Sequence, residues 1–277
     1  MAEKPVIKLE NISKSYNVYK SNRQKVAHAI LGLKKGVTFK ALDNVDIEIH
    51  KGENVGILGN VGSGRTTLAK IISGISFPTE GKAKINGKVM AVFDLRSGFD
   101  LNFTGRDNIR VKGHMMGWTK KQIEEREDEI IDFAEMRKII DLKMSGYKPV
   151  DRSRLGLSMA LMDDADIIMY DGYVAVGTPN QRAKCIEKMH KWKEDKNRTL
   201  IMISAIFHTM DQLCDRGIVI DNGEIKFDGP FDEAVKIFRT KYKLKGKTDK
   251  NSFEEDKDNN TDEHITDDDD GSNYGDF

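Results

Sequence analysis

Short β-type runs of apolar residues recur along the chain at Ile7–Leu9, Ala41–Ile49, Val55–Leu58, Ile167–Tyr170, Leu200–Ile203 and Gly217–Ile220. Each has the length of a strand, and stretches of helical spacing lie between them, which predicts a largely parallel α/β sheet. The middle of the chain has a different period. From Thr119 to about Asp141 the pattern is helical: Thr119 and Gln122 make a capping box, and Ile123, Ile130, Ile131 and Ala134 fall on one face. This reads as a helical insertion in an α/β core. No internal repeat accompanies it.

With 277 residues and 38% hydrophobic content, the chain can bury one large core or a core plus a lobe. The longest largely apolar run, Leu200–Phe207, is far short of the roughly 20 residues needed to cross a bilayer. No charged-then-apolar leader opens the chain, so a soluble, unsecreted protein is expected. Cys185 and Cys214 are too few for a disulfide framework and carry no metal-type spacing. They are read as small buried apolar residues in a reducing cytoplasm.

The net charge of zero conceals an asymmetry. Residues 248–277 hold twelve Asp and Glu against two Lys, so the remainder is correspondingly basic. The segment 246–277, with Asp267–Asp270, is too poor in apolar residues to offset its ordering entropy and is expected to be a disordered acidic tail. Its role is solubility, or docking and autoinhibition against the basic body. Residues 20–40 form a basic segment with Lys20, Arg23, Lys25, Lys34, Lys35 and Lys40. A solvated loop is the plain reading, and contact with anionic lipid or a membrane partner is the alternative.

The sharpest chemical signal follows the strand Val55–Leu58. Gly59, Asn60, Val61, Gly62, Ser63, Gly64, Arg65, Thr66 and Thr67 form a phosphate loop that opens a helix at Leu68, Ala69 and Lys70. The glycines let successive N–H groups and a helix N-terminus face an anion, and the Thr66 hydroxyl can hold Mg²⁺. One position departs from the pattern: Arg65 stands where Lys is required, and its planar fork is not the same compact point charge.

The opening Ile7–Tyr16, FKALDNVDIEIHKGENVGILG, GFDLNFTGRDNI, RSRLGLSMAL, the strand ending at Asp171, and CDRGIVIDNGEI follow one another in this order. Together they resemble the ATPase domain of ABC transporters over residues 5 to about 240, and more narrowly the teichoic-acid and capsular-polysaccharide exporter branch. The resemblance implies an α/β, P-loop (RecA-like) ABC nucleotide-binding domain over 1–245. A helical lobe is inserted at about 99–157.

The resemblance also implies roles. Tyr16 matches the aromatic that stacks on adenine, with Tyr19 a second candidate, and Asp171 matches the Walker B carboxylate that holds Mg²⁺ together with Thr66. The general base position is Gly172, which cannot accept a proton, and the switch-histidine position is Ala205. His208, three residues further on, is read as a surface histidine. The signature segment aligns with Tyr147-Lys148-Pro149-Val150-Asp151, or with Met144-Ser145-Gly146 if the alignment slips. Thr178 takes the D-loop Asp position, and GFD offers Asp100 for the Q-loop.

The implied cofactors are ATP and Mg²⁺. The implied partners are an integral-membrane permease subunit and a second nucleotide-binding domain, in a homodimer or heterodimer at the cytoplasmic face of the membrane. Hydrolysis is expected to be weak or absent. The alternative is a non-enzymatic scaffold or regulator of an active paralogue. No nucleic-acid motif or aromatic-basic platform is present, and nucleic acid is not an expected partner.

Overall fold

The computed structural model describes residues 4–18, 37–172, 176–203 and 207–242. Tyr19, most of the basic segment, Ala205, the side chain of His208 and the acidic tail lie outside the described residues.

Among the described residues, nine strands form two sheets. One has six strands in the order β5-β6-β7-β3-β8-β9, built from β3 (Asn54–Leu58), β5 (Val89–Val92), β6 (Ile167–Asp171), β7 (Thr199–Ile203), β8 (Arg216–Asp221) and β9 (Glu224–Pro230). It is parallel from β5 through β8, and β9 closes it as an antiparallel edge. The other is antiparallel, in the order β2-β1-β4, from β1 (Ile7–Val18), β2 (Val37–Ile49) and β4 (Glu80–Ile85). The expectation of a largely parallel sheet therefore holds for the larger sheet only. The runs at Ile7–Leu9 and Ala41–Ile49 belong to longer antiparallel strands, because β1 and β2 pair with each other along their whole length.

The apolar pattern accounts for this division. β3, β6 and β7 read as continuous apolar runs because both faces of the parallel sheet are covered, and their side chains are almost all buried. From Leu42 onward β2 alternates instead: Val45, Ile47 and Ile49 are buried while Asp46 and Glu48 face solvent. One core lies between the two sheets and takes in Leu68, Ile71 and Ile72 of α1 (Arg65–Ile72). The opposite face of the larger sheet packs on α4 (Pro149–Leu161), α5 (Pro179–Glu194), α6 (Phe207–Leu213) and α7 (Phe231–Tyr242), through residues such as Leu157, Met189, Met210 and Phe231. Cys185 and Cys214 are buried there as free thiols, and burial pushes Cys185 up to about 11.

A third cluster belongs to the helical insertion, where α2 (Gly105–Met115) and α3 (Lys120–Phe133) pack with α4 through Ile109, Ile123, Ile130, Leu155 and Met159. The Thr119–Gln122 capping box starts α3 as expected, and an equivalent box, Thr104–Asp107, starts α2. Asp163 links this region to the sheet. Its fully buried carboxylate accepts Trp118 Nε1–H at 2.6 Å, Lys88 Nζ at 3.1 Å and the Ala165 amide at 2.8 Å. The midpoint of α4 approaches the turn after β5 so closely that a Cβ at Gly156 would sit 1.9 Å from the Leu95 carbonyl oxygen.

Candidate functional site

The loop Gly59–Gly64 leaves the carboxyl end of β3 and enters α1. Gly64 has φ +107°, and a Cβ there would lie 2.5 Å from the Ala41 carbonyl oxygen, so this position needs glycine twice over. Among the described residues the amides of Gly62, Gly64, Arg65 and Thr66 take no backbone hydrogen bond outside the loop. Ser63 is held inside by the Gly223 amide, which donates to its carbonyl at 2.9 Å, and its buried Oγ has no protein partner. An orphaned hydroxyl beside free amides at a helix N-terminus fits a phosphate group. The resulting cleft, about 270 Å³, is lined by Asn60 to Thr67 together with Phe39 and Ala41.

Phe39 is the residue that sequence reasoning missed. It is the register partner of Tyr16 across β1 and β2, and the two rings are 52% and 39% exposed. Phe39 lines the cleft directly, while Tyr16 stands beside it with the Lys14 ammonium 5.3 Å from its ring centroid. A pair of exposed aromatics next to a phosphate cradle can stack a planar base.

The two expected metal ligands are brought together, with Thr66 Oγ1 donating to Asp171 Oδ2 at 3.2 Å. A hydroxyl and one carboxylate suit a Mg²⁺ ion that keeps several waters and takes its other ligands from phosphate. Arg65 sits next to them, half-buried, and burial lowers its affinity for the proton while Asp171 opposes that effect. Gly172 follows Asp171 with φ +115°, is exposed, and has no atom near the place a Cβ would occupy.

A second cavity, about 310 Å³, lies beyond Asp171 and is lined by Asp94, Arg96, Ser153, Tyr170, Gly172 and neighbouring residues. Asp94, on the turn after β5, is the acidic side chain that shares this space with Asp171. Asp100, the residue expected at the Q-loop, lies in a turn: its carboxylate accepts the Asn102 amide at 2.8 Å, and its own amide donates to Asn108 Oδ1.

The segment aligned with the signature lies at the start of α4. Lys148 is the N-cap, Pro149 opens the first turn, and Asp151 turns back to accept Arg154 Nη2 at 2.8 Å. Tyr147 is buried and donates to the Ile139 carbonyl at 2.6 Å, and burial pushes its hydroxyl up to about 12. Met144–Gly146 is a separate short 3₁₀ turn. Thr178 is the N-cap of α5 in a reciprocal box with Gln181, whose side-chain amide in turn donates to Glu135 at 2.7 Å.

The pattern of the ABC transporter family matches residues 42–175. The teichoic acids export ATP-binding protein TagH of Staphylococcus haemolyticus is 30% identical over 250 residues, covering 89% of this chain and 94% of that protein. TagH of Bacillus cereus is 32% identical over 90% of this chain, which spans 46% of that longer relative. Among solved structures, the dimeric post-hydrolysis state of the ATP-binding cassette MJ0796 bound to ADP and Pi superposes with a TM-score of 0.65 at 20% identity. It covers 81% of this chain and 98% of that one, and at this identity it speaks for the fold. With sheet, phosphate loop and Walker B strand placed as above, the chain belongs to the ATP-binding domains of ABC transporters.

Proposed function

We propose that this chain is the nucleotide-binding subunit of an ABC exporter for a cell-surface polysaccharide or teichoic acid, binding ATP with weak or absent hydrolysis. The observation that carries the second half is Gly172. It stands directly after Asp171, where a water-activating carboxylate would be needed, and nothing in its own side chain can take a proton. The phosphate loop, the Thr66–Asp171 pair and the Tyr16–Phe39 rings support retained nucleotide binding.

The exporter reading draws on the two relatives named for teichoic acid export. Docking on an integral-membrane permease at the cytoplasmic face is supported by a groove of about 250 Å³ at the open edge of the larger sheet. Met90, Val92, Leu95, Met115 and Met116 line it, with Lys112 at its side. Methionine-rich linings adapt to a partner surface. No helix among the described residues is long and apolar enough to cross a membrane. Pairing with a second nucleotide-binding domain, as a homodimer or heterodimer, would bring the start of α4 to the partner's nucleotide.

That helix start favours a second reading, a non-enzymatic scaffold or regulator of an active paralogue. Pro149 lacks an amide to offer a phosphate, and Asp151 adds a negative charge in the first turn. Titration with a fluorescent ATP analogue, followed by an assay of phosphate release on the same sample, separates the readings. Binding without release is expected. Clear turnover by the unmodified chain would overturn the hydrolysis claim, and failure to bind would transfer the assignment to the scaffold.

A further inference from the structure

Among the described residues, Arg65 is the one charged side chain lining the phosphate cleft. It is half-buried, and among the described residues no carboxylate forms an ion pair with it. A guanidinium partly removed from water, with Asp171 nearby but not in ion-pair contact, carries a cost that a bound anion would relieve. Its planar fork carries five N–H donors, suited to two oxygens at once, and it holds its charge at every accessible pH.

A divalent cation in a phosphate site normally neutralises crowded negative charge and bridges oxygens of neighbouring phosphates. Both demands are altered here. Gly172 contributes no carboxylate beside Asp171, so the strand end carries one negative charge fewer than the implied pattern. A fixed guanidinium also avoids the cost of stripping water from Mg²⁺, which dehydrates reluctantly.

We propose that Arg65 takes over the neutralising and bridging work of the metal, so that the cleft binds a nucleoside polyphosphate without requiring a divalent cation. The inference rests on the nucleotide-binding reading. Thr66 and Asp171 would still accommodate Mg²⁺, but its addition would change affinity little, because ion and guanidinium compete for the same oxygens.

The test is a titration of the full chain with a fluorescent ATP analogue, once in excess Mg²⁺ and once in EDTA, repeated on Arg65→Lys. For the unmodified chain the two dissociation constants are expected to agree within about threefold. Arg65→Lys, checked for an unchanged melting temperature, is expected to bind at least about tenfold more weakly in EDTA than in Mg²⁺. Tightening of the unmodified chain by Mg²⁺ of about tenfold or more would overturn the inference while leaving nucleotide binding intact. So would an Arg65→Lys variant as indifferent to metal as its parent. Absence of binding in both buffers would remove the nucleotide reading itself.

Discussion

Asp171 is held by Thr66 across 3.2 Å, and the residue that follows it, Gly172, turns away at φ +115°. The pair proposed to hold the metal and the position proposed for the base thus differ in kind. The first lacks nothing in side-chain chemistry. The second lacks a side chain and has a backbone that L-residues avoid.

Restoring the family residues is therefore expected to fail as a simple repair. Gly172→Glu, alone or with Ala205→His, should cost about 1–2 kcal/mol of stability through the left-handed backbone and leave phosphate release at background. Denaturant melts and a phosphate-release assay check both halves. A large gain in turnover from Gly172→Glu alone would mean that the backbone relaxes freely.

Lys112 offers a test in pH. Its ammonium donates to the Leu95 and Ser97 carbonyls and lies 4.0 Å from the Phe99 ring centroid, and burial pulls it down to about 8 from 10.5. Between these values the unfolded chain binds more protons at this residue than the folded one. The Lys112 contribution to stability should then rise as pH increases from 8 towards 10.5, with its full penalty present below 8. Lys112→Met should be more stable than the parent at pH 7, by roughly 1–3 kcal/mol, and the difference should shrink by pH 10. Paired urea melts at the two pH values measure it.

Thr178 is expected to act through its helix and not through nucleotide. Thr178→Ala removes the capping box of α5 and should cost about 1 kcal/mol, whereas Thr178→Asp, which can still cap, should stay close to the parent. Neither should move the dissociation constant for ATP. An affinity loss in Thr178→Ala larger than its stability loss would point to a direct role.

Asp163 carries the heaviest structural demand. Asp163→Ala leaves Trp118 Nε1–H and the Lys88 ammonium without their shared acceptor, and should destabilise the protein by about 3–5 kcal/mol. Hydrogen exchange should locate the loosening at α3 and at the turn before β6, and uniform exchange across the chain would contradict that placement.

The parts of this fold that could be read in the sequence are those whose burial is one-sided or complete. Val55–Leu58, Ile167–Tyr170 and Leu200–Ile203 are continuous apolar runs because helices or a second sheet cover both faces. β4 was not legible. Five of its six side chains are exposed, and it exists because its backbone pairs with β1 at a sheet edge. The site divides in the same way. The phosphate loop and Asp171 announce themselves by local pattern, but Phe39 joins Tyr16 only through strand register, which no local pattern encodes. Asp94 carries no local signal for a related reason: it follows β5, a four-residue, half-exposed strand without a periodic pattern.

The left-handed turn at Gly172 also has a historical consequence. A chain that holds glycine there, in a shape that other residues avoid, behaves as a ratchet. Each single reversal would meet an unfavourable backbone before it met any catalytic reward. On the proposed reading of weak or absent hydrolysis, gaining turnover would need several substitutions together, and descendants of this sequence are expected to keep whatever work binding alone can perform.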